Sequence, residues 1–435
     1  MDIKNILQLF AAGDVVNYAG GSDVSNAGTY NVNAGSAVST GDLAPEMKTF
    51  YSKSLIALVG PSLVHEQFGQ KRPIPRGGGK SIEFRKFSKL PKALTPITEG
   101  VTPAGNKLRV TAVTATVDQY GDYIEQTDML ELTAIDPTIV ETTKELSAQS
   151  SLTLDTVVRN VLVGGTNVMY VPSVSGSTVT EITSRANITG LCRLRVKDVF
   201  KAAAELKAVN APKIGGSYVA IIHPHVSYDL MQDAGEQWIG IQKYANPQNI
   251  LRGEIGQLGG VRFVESTEAK IFAPAVINNG VRRLTVAANV SASTSVTVNE
   301  TLVADTPATA IPVYVNGVAN TITAIAVNDS TGVATLTLGS AVTLSAGATI
   351  CGKGAGKDGA AVYATLFLGE NAYGVTDIEG GGLELIVKQR GYGNDPLNQR
   401  SSVGWKATKV AKRLLEEYMI RMESGSEFSY EAEEN

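Results

Sequence analysis

Lys71-Arg72-Pro73-Ile74-Pro75-Arg76-Gly77-Gly78-Gly79-Lys80-Ser81-Ile82-Glu83-Phe84-Arg85-Lys86-Phe87 begins a segment, residues 67 to 123, with too little apolar surface for a core of its own. Between Lys71 and Lys92 eight cations (Lys71, Arg72, Arg76, Lys80, Arg85, Lys86, Lys89 and Lys92) face one acid, Glu83, which puts a strong field on a narrow element. Ile82 and Phe84 alternate with polar residues before the phase slips at Phe87. Leu108, Val110 and Ala112 alternate before slipping to Val113, Ala115 and Val117. The pattern predicts a two-stranded arm with a bulge in each strand. Pro91, Pro96, Gly100, Pro103 and Gly105 punctuate the wide turn between the strands. Such an arm needs a partner to lie on.

The glycines do not make a phosphate loop. The first glycine of that pattern would fall at Ile74, Pro73 and Pro75 remove two amides, and a strand pattern follows Ser81 where a helix is required. Phosphate contact through cation density alone needs less, so a nucleic-acid role stays open; the favoured reading pairs the cations with an acidic surface on a neighbouring subunit.

Outside this arm, 435 residues suffice for two or three domains, and a net charge of −4 excludes a polycation. The stretch from Glu423 to Asn435 carries five acids and no base, an acidic end to set against the basic arm. Two cysteines far apart, Cys192 and Cys351, and no secretion signal point to synthesis in a reducing cytoplasm. No run of about 18 apolar residues is present to span a membrane.

Residues 1 to 45 read as an arm rich in small residues, followed by a helix over Met47 to Leu58. Asp136-Pro137 caps a long helix whose stripe runs Ile139, Thr143, Leu146, Ser150, Leu154, Val157 and Val161 until Gly164-Gly165. A helix over Val196 to Val209, a strand over Tyr218 to Ile222, a helix around Val226 to Met231 and a strand over Gly260 to Glu265 make the middle a mixed α and β domain. From Leu284 to Gly352 the chain has no Lys, Arg or His, and short Val/Thr/Ala runs between turn signals predict an inserted β module. Strands are expected over Val362 to Leu368, Leu383 to Lys388 and Trp405 to Met422.

Specific strings add a resemblance: His65 to Pro75, Ser81 to Phe87, Pro96 to Pro103, Gln119-Tyr120-Gly121-Asp122-Tyr123, Thr153-Leu154-Asp155-Thr156, His223-Pro224, Gly260 to Glu265 and Val403-Gly404-Trp405-Lys406. Over about residues 45 to 275 and 360 to 425 the chain resembles major capsid proteins of tailed bacteriophages, with the Hong Kong 97-type (Johnson) fold. The resemblance implies an α+β chain with an N-terminal arm (1–45), extended β-hairpin loop (65–125), peripheral domain with spine helix (126–190) and C-terminal strands (383–435), and axial domain (191–283 and 353–382), to which the residue pattern adds a connecting helix (46–64), the inserted β module (284–352) and the acidic tail within 383–435. It implies a virion shell of hexamers and pentamers around double-stranded DNA touched weakly and non-specifically. Separate scaffolding and portal proteins, an optional decoration protein, no membrane and no cofactor complete the expectation. The Lys-Asn-Glu cross-linking chemistry of some relatives cannot be placed on matching residues, so no covalent cross-link is expected.

Competing chemistry is sparse. His223-Pro224-His225 has two-histidine spacing but no acidic or cysteine cluster nearby, so a structural strand exit outweighs a metal site. Cys192 has only arginines as neighbours and reads as a plain thiol. The pair Glu416-Glu417 and the acids from Glu431 to Glu434 read as solvated, and nothing argues for an enzyme. A bacterial nanocompartment shell, a surface adhesin and a nucleic-acid-binding protein remain as alternatives.

Overall fold

The computed structural model describes residues 64–435 apart from 88–89, 91, 95, 97–98, 103–104, 134–137, 236–238, 241–253, 329–331, 389–396, 398 and 431, together with 24–25 and 29–30. The helix expected over Met47 to Leu58, the Asp136-Pro137 cap and Lys89 lie outside the described residues, as does the N-terminal arm except for an antiparallel pairing of Val24–Ser25 with Thr29–Tyr30. The chain forms two compact units, one of Gly60–Gly121, Ala148–Glu384 and Lys406–Asn435, the other including Asp122–Ser147 and Leu385–Trp405.

The basic segment supplies β1 (Gln70–Lys71), β2 (Ser81–Phe87) and β3 (Val110–Thr116). β2 and β3 pair antiparallel in unbroken register from Ser81↔Thr116 to Phe87↔Val110, so the expected bulges are absent. The apolar phase slips for another reason. Ile82 and Phe84, opposite Ala115 and Val113, form the one inward face, whereas Phe87 and Val110, the last pair of the ladder, are exposed. β4 (Asp118–Thr127) and the short α1 (Asp128–Thr133) follow, then α2 (Thr138–Val163), about 39 Å long at 1.5 Å per residue.

The buried stripe of α2 runs Leu146, Ser150, Leu154, Val158 and Leu162. Val157 and Val161, expected on it, are only half-buried. Asp155 and Arg159 take the inward positions instead, because each finds a partner there: Asp155 binds His65, and Arg159 Nη1 lies 3.3 Å from Glu268 Oε2. Burial of charge is tolerated where it is paired and hydrogen-bonded.

Next come β5 (Val168–Tyr170), α3 (Val196–Ala208), β6 (Tyr218–Ile222), α4 (Pro224–Ala234), β7 (Glu254–Leu258) and β8 (Val261–Glu265). The base-poor region forms six strands, β9 (Arg283–Thr285), β10 (Val290–Val298), β11 (Ile311–Val315), β12 (Val318–Val327), β13 (Ala334–Leu344) and β14 (Thr349–Gly352), in the order β9-β14-β11-β12-β13-β10. All of these pairings are antiparallel. The outer strands meet at a Val286↔Val298 bridge, with Ala287 N donating to Thr297 O and Asn299 N to Thr285 O, so the sheet closes on itself around Leu284, Val296, Ile322, Leu336 and Ile350. Closure removes the open edges that would invite pairing with another chain.

The chain ends with β15 (Val362–Leu368), β16 (Tyr373–Thr376), β17 (Glu384–Lys388), β18 (Arg400–Arg413) and β19 (Met419–Ser424). The strand expected from Trp405 to Met422 is two strands, parted by a single turn at Glu416–Tyr418. An eight-stranded sheet runs Ile239–Gly240, β7, β8, β6, β15, β19, β5, with Ile271–Phe272 also on β15. β6 is buried along its whole length: Tyr218, Ala220 and Ile222 meet Leu206 and Leu230 of α3 and α4, while Val219 and Ile221 meet Val158 and Leu162 of α2. A sheet covered on both faces explains the uninterrupted apolar run. Because β19 lies within this sheet, a boundary at residue 383 does not follow the sheets.

Candidate assembly surface

The root of the hairpin is built rigidly. His65 and Asp155 are both buried; the His65 amide donates to Asp155 Oδ1 at 2.9 Å, its Nδ1 lies 2.6 Å from Oδ2, and the Tyr373 hydroxyl donates to the His65 carbonyl. Lys409 Nζ meets Glu66 Oε2 at 2.5 Å. β1 then pairs parallel with β16, and Ile74 continues the contact by donating to Asp377 O and accepting from Glu379 N. Phe84 lies over Gly374, where an added Cβ would come within 2.8 Å of the ring, so only glycine admits this packing.

Beyond Phe84 the arm is open. Arg85 pairs with Glu83 at 3.1 Å on its own strand, Lys71 with Glu66 at 3.6 Å, and Arg76 donates to the Glu379 carbonyl. Arg72, Lys80, Lys86 and Lys92 have no acidic partner among the described residues. Six large apolar side chains accompany the cations, from Val110 at 50% exposed to Leu94 at 82%, with Phe87, Leu90, Val101 and Leu108 between them. Charge and exposed apolar surface on one arm are the ingredients of an interface.

The acidic end is not its counterpart within the chain. Glu423 is fully buried and meets Arg185 at 2.5 Å and Arg421 at 2.9 Å; Glu427 lies 3.7 Å from Arg193, and Glu434 lies 2.8 Å from Lys270. Glu416, expected to be solvated, pairs with Arg413 at 3.1 Å and accepts from Thr166 N. The Asn435 amide also binds Ile271 N, Thr267 O and Ala269 O. The tail is thus part of the fold.

The model for the phage capsid protein family matches residues 134–388. The chain belongs to the phage capsid protein family. Two solved shells agree in fold. The capsid of Ralstonia phage GP4 is 13% identical, with a TM-score of 0.52 over 90% of this chain and 98% of that one. The capsid of cyanophage P-SCSP1u is 14% identical, with a TM-score of 0.50 over 88% and 94%. No curated protein matches in sequence. The nanocompartment, adhesin and nucleic-acid readings gain no support from these matches.

In this capsid protein the remaining motifs are structural. His223 caps α4, its Nδ1 accepting from His225 N at 3.2 Å, and His225 Nδ1 lies 2.8 Å from the Tyr363 hydroxyl. Burial, helped by His225, lowers the His223 imidazole to about 4. No cluster of three His, Cys, Asp or Glu among the described residues could hold a metal. Cys192 and Cys351 are buried free thiols, and burial raises that of Cys351. The sequence pattern misses the His65–Asp155 clamp, because Asp155 and Arg159, four apart on a helix, read as an ordinary surface pair.

Proposed function

We propose that the chain is the repeating subunit of an icosahedral shell of hexamers and pentamers enclosing the double-stranded DNA of a tailed phage, and that the cations from Lys71 to Lys92 lie on an acidic face of the adjacent subunit. The supporting observation is the hairpin itself, which is clamped at His65 and carries cations and bare apolar side chains beyond Phe84. Weak contacts of this kind accumulate when every subunit in a closed lattice makes them. The role is structural and non-enzymatic. Scaffolding and portal proteins are separate chains, the DNA is met weakly at the inner surface, and subunits are made in the host cytoplasm without cross-linking. The base-poor barrel is an insertion facing outward, available to a decoration protein.

Electron microscopy of the protein expressed alone and beside its neighbouring phage genes tests the reading. Closed shells or capsomer rings under either condition are expected. A monodisperse monomer under both would sink it.

A further inference from the structure

A groove of about 550 Å³ lies at the hairpin root, in the larger unit. Phe84, Phe87, Val113, Leu414 and Leu415 supply apolar walls. Arg72, Arg85 and Lys86 also line it, against the single acid Glu417. An apolar floor with a cationic rim suits an occupant that brings an apolar anchor flanked by carboxylates.

Among the described residues, the segment 118–133 joins a pair of exposed apolar side chains to a run of acids. From Asp118 to Thr133 there are five acids and no Lys or Arg. Its last six residues are α1, where Met129 is 63% exposed and Leu132 is 73% exposed. Three residues apart, they share a helix face. Tyr123 and Ile124 are exposed beside them, and Asp122 and Glu125 are exposed on the same strand. Leu90 and Leu94 belong to the basic hairpin, Leu385 and Val387 lie between Glu384 and Lys388, and Val303 (between Glu300 and Asp305) and Tyr430 (between Glu427 and Glu431) each present a single exposed apolar side chain rather than a pair on one helix face.

We infer that the groove at the hairpin root seats helix Asp128–Thr133 of a neighbouring copy, with Met129 and Leu132 against Phe87 and the Leu414-Leu415 wall, and the acidic strand before them facing Arg72, Arg85 and Lys86. The inference rests on the shell reading and names the acceptor that reading leaves open. Groove and helix are different patches of one chain, so in a ring each copy would give its helix to one neighbour and its groove to the other.

Two full-length single variants, Phe87→Cys and Met129→Cys, test it when assembled together and oxidised. Both native thiols are buried and supply the background in each variant alone. A disulfide-linked dimer on non-reducing gels is expected from the mixture and from neither variant alone. Mixed particles without that dimer overturn the inference while leaving the shell reading intact, and an unsubstituted chain that makes no shells or rings overturns both. If the cysteine variants do not assemble, charge exchange decides. Arg72→Glu should raise the concentration needed for assembly roughly tenfold, and adding Asp128→Arg should recover most of it. No recovery in the double variant, with the monomer folded, overturns the seat.

Discussion

The hairpin and the base-poor barrel are both β structure outside the main sheet, and they solve the edge problem in opposite ways. The barrel spends its apolar residues inward, closes through Val286 and Val298, and carries almost no charge. The hairpin buries only Phe84, Ala115 and their near neighbours, leaves Phe87, Leu94 and Val110 bare, and crowds cations along one arm. Completeness is the difference. A closed sheet satisfies its backbone alone, whereas a two-stranded arm is marginal in water until a third surface covers it.

The comparison breaks most visibly at Arg85 and Lys86. Reversing both to Glu is expected to abolish closed particles with the monomer's melting temperature little changed, because both side chains are exposed and the one pair lost within the chain, Arg85 with Glu83, is a surface pair. Normal particles by electron microscopy would mean the arm's charge has no acidic counterpart. At the root the loss is of folding instead. Asp155→Ala strands the His65 amide and Nδ1 in a dry site, which is expected to cost about 3 kcal/mol in urea unfolding and to loosen the hairpin from the body. In the barrel, Leu336→Ala removes a fully buried side chain and should cost about 2–4 kcal/mol, with particles still forming below the melting temperature.

Most of the frame was legible because it depends on period and punctuation. The long helix, the buried run Tyr218 to Ile222 and the strands of the base-poor region each follow from local pattern, and they recur at the expected places. What was not legible depends on pairing across long separations. The inward faces of Asp155 and Arg159 need His65 and Glu268, some 90 and 109 residues away, and no helical period reveals them. Likewise, the acidic end read as a counterpart to the basic arm, although Arg185 and Arg421 meet Glu423, and Lys270 meets Glu434, within the chain. The phase slip in the hairpin shows the reverse error, where the exposed end of the ladder imitates a bulge.

His223 offers a control in the main sheet's flank. Its folded value of about 4 lies below the ordinary 6.5, so the unfolded chain takes up the proton first as pH falls. Stability should therefore be level above pH 6.5 and decline between 6.5 and 4, by on the order of 3 kcal/mol. His223→Asn keeps a cap acceptor and should flatten that decline in urea midpoints measured at pH 7 and 4.5; an unchanged slope would assign it to other groups.

The smallest effect on assembly is expected from the largest change. Leu284 to Gly352 can be replaced by a short linker because its ends are neighbours: Leu284 pairs with Ile350, Arg283 with Cys351, and Gly352 N donates to Arg282 O. Arg283 stays behind, since its guanidinium donates to Gly359 O at 3.0 Å and lies over the Tyr430 ring. A loop whose ends already meet adds little closure entropy when shortened. If the barrel is complete in itself, the shortened chain folds and makes particles of normal diameter. A folded chain that makes none would put the barrel, like the hairpin, at a contact between subunits, and self-sufficiency of a β element would no longer predict that it can be spared.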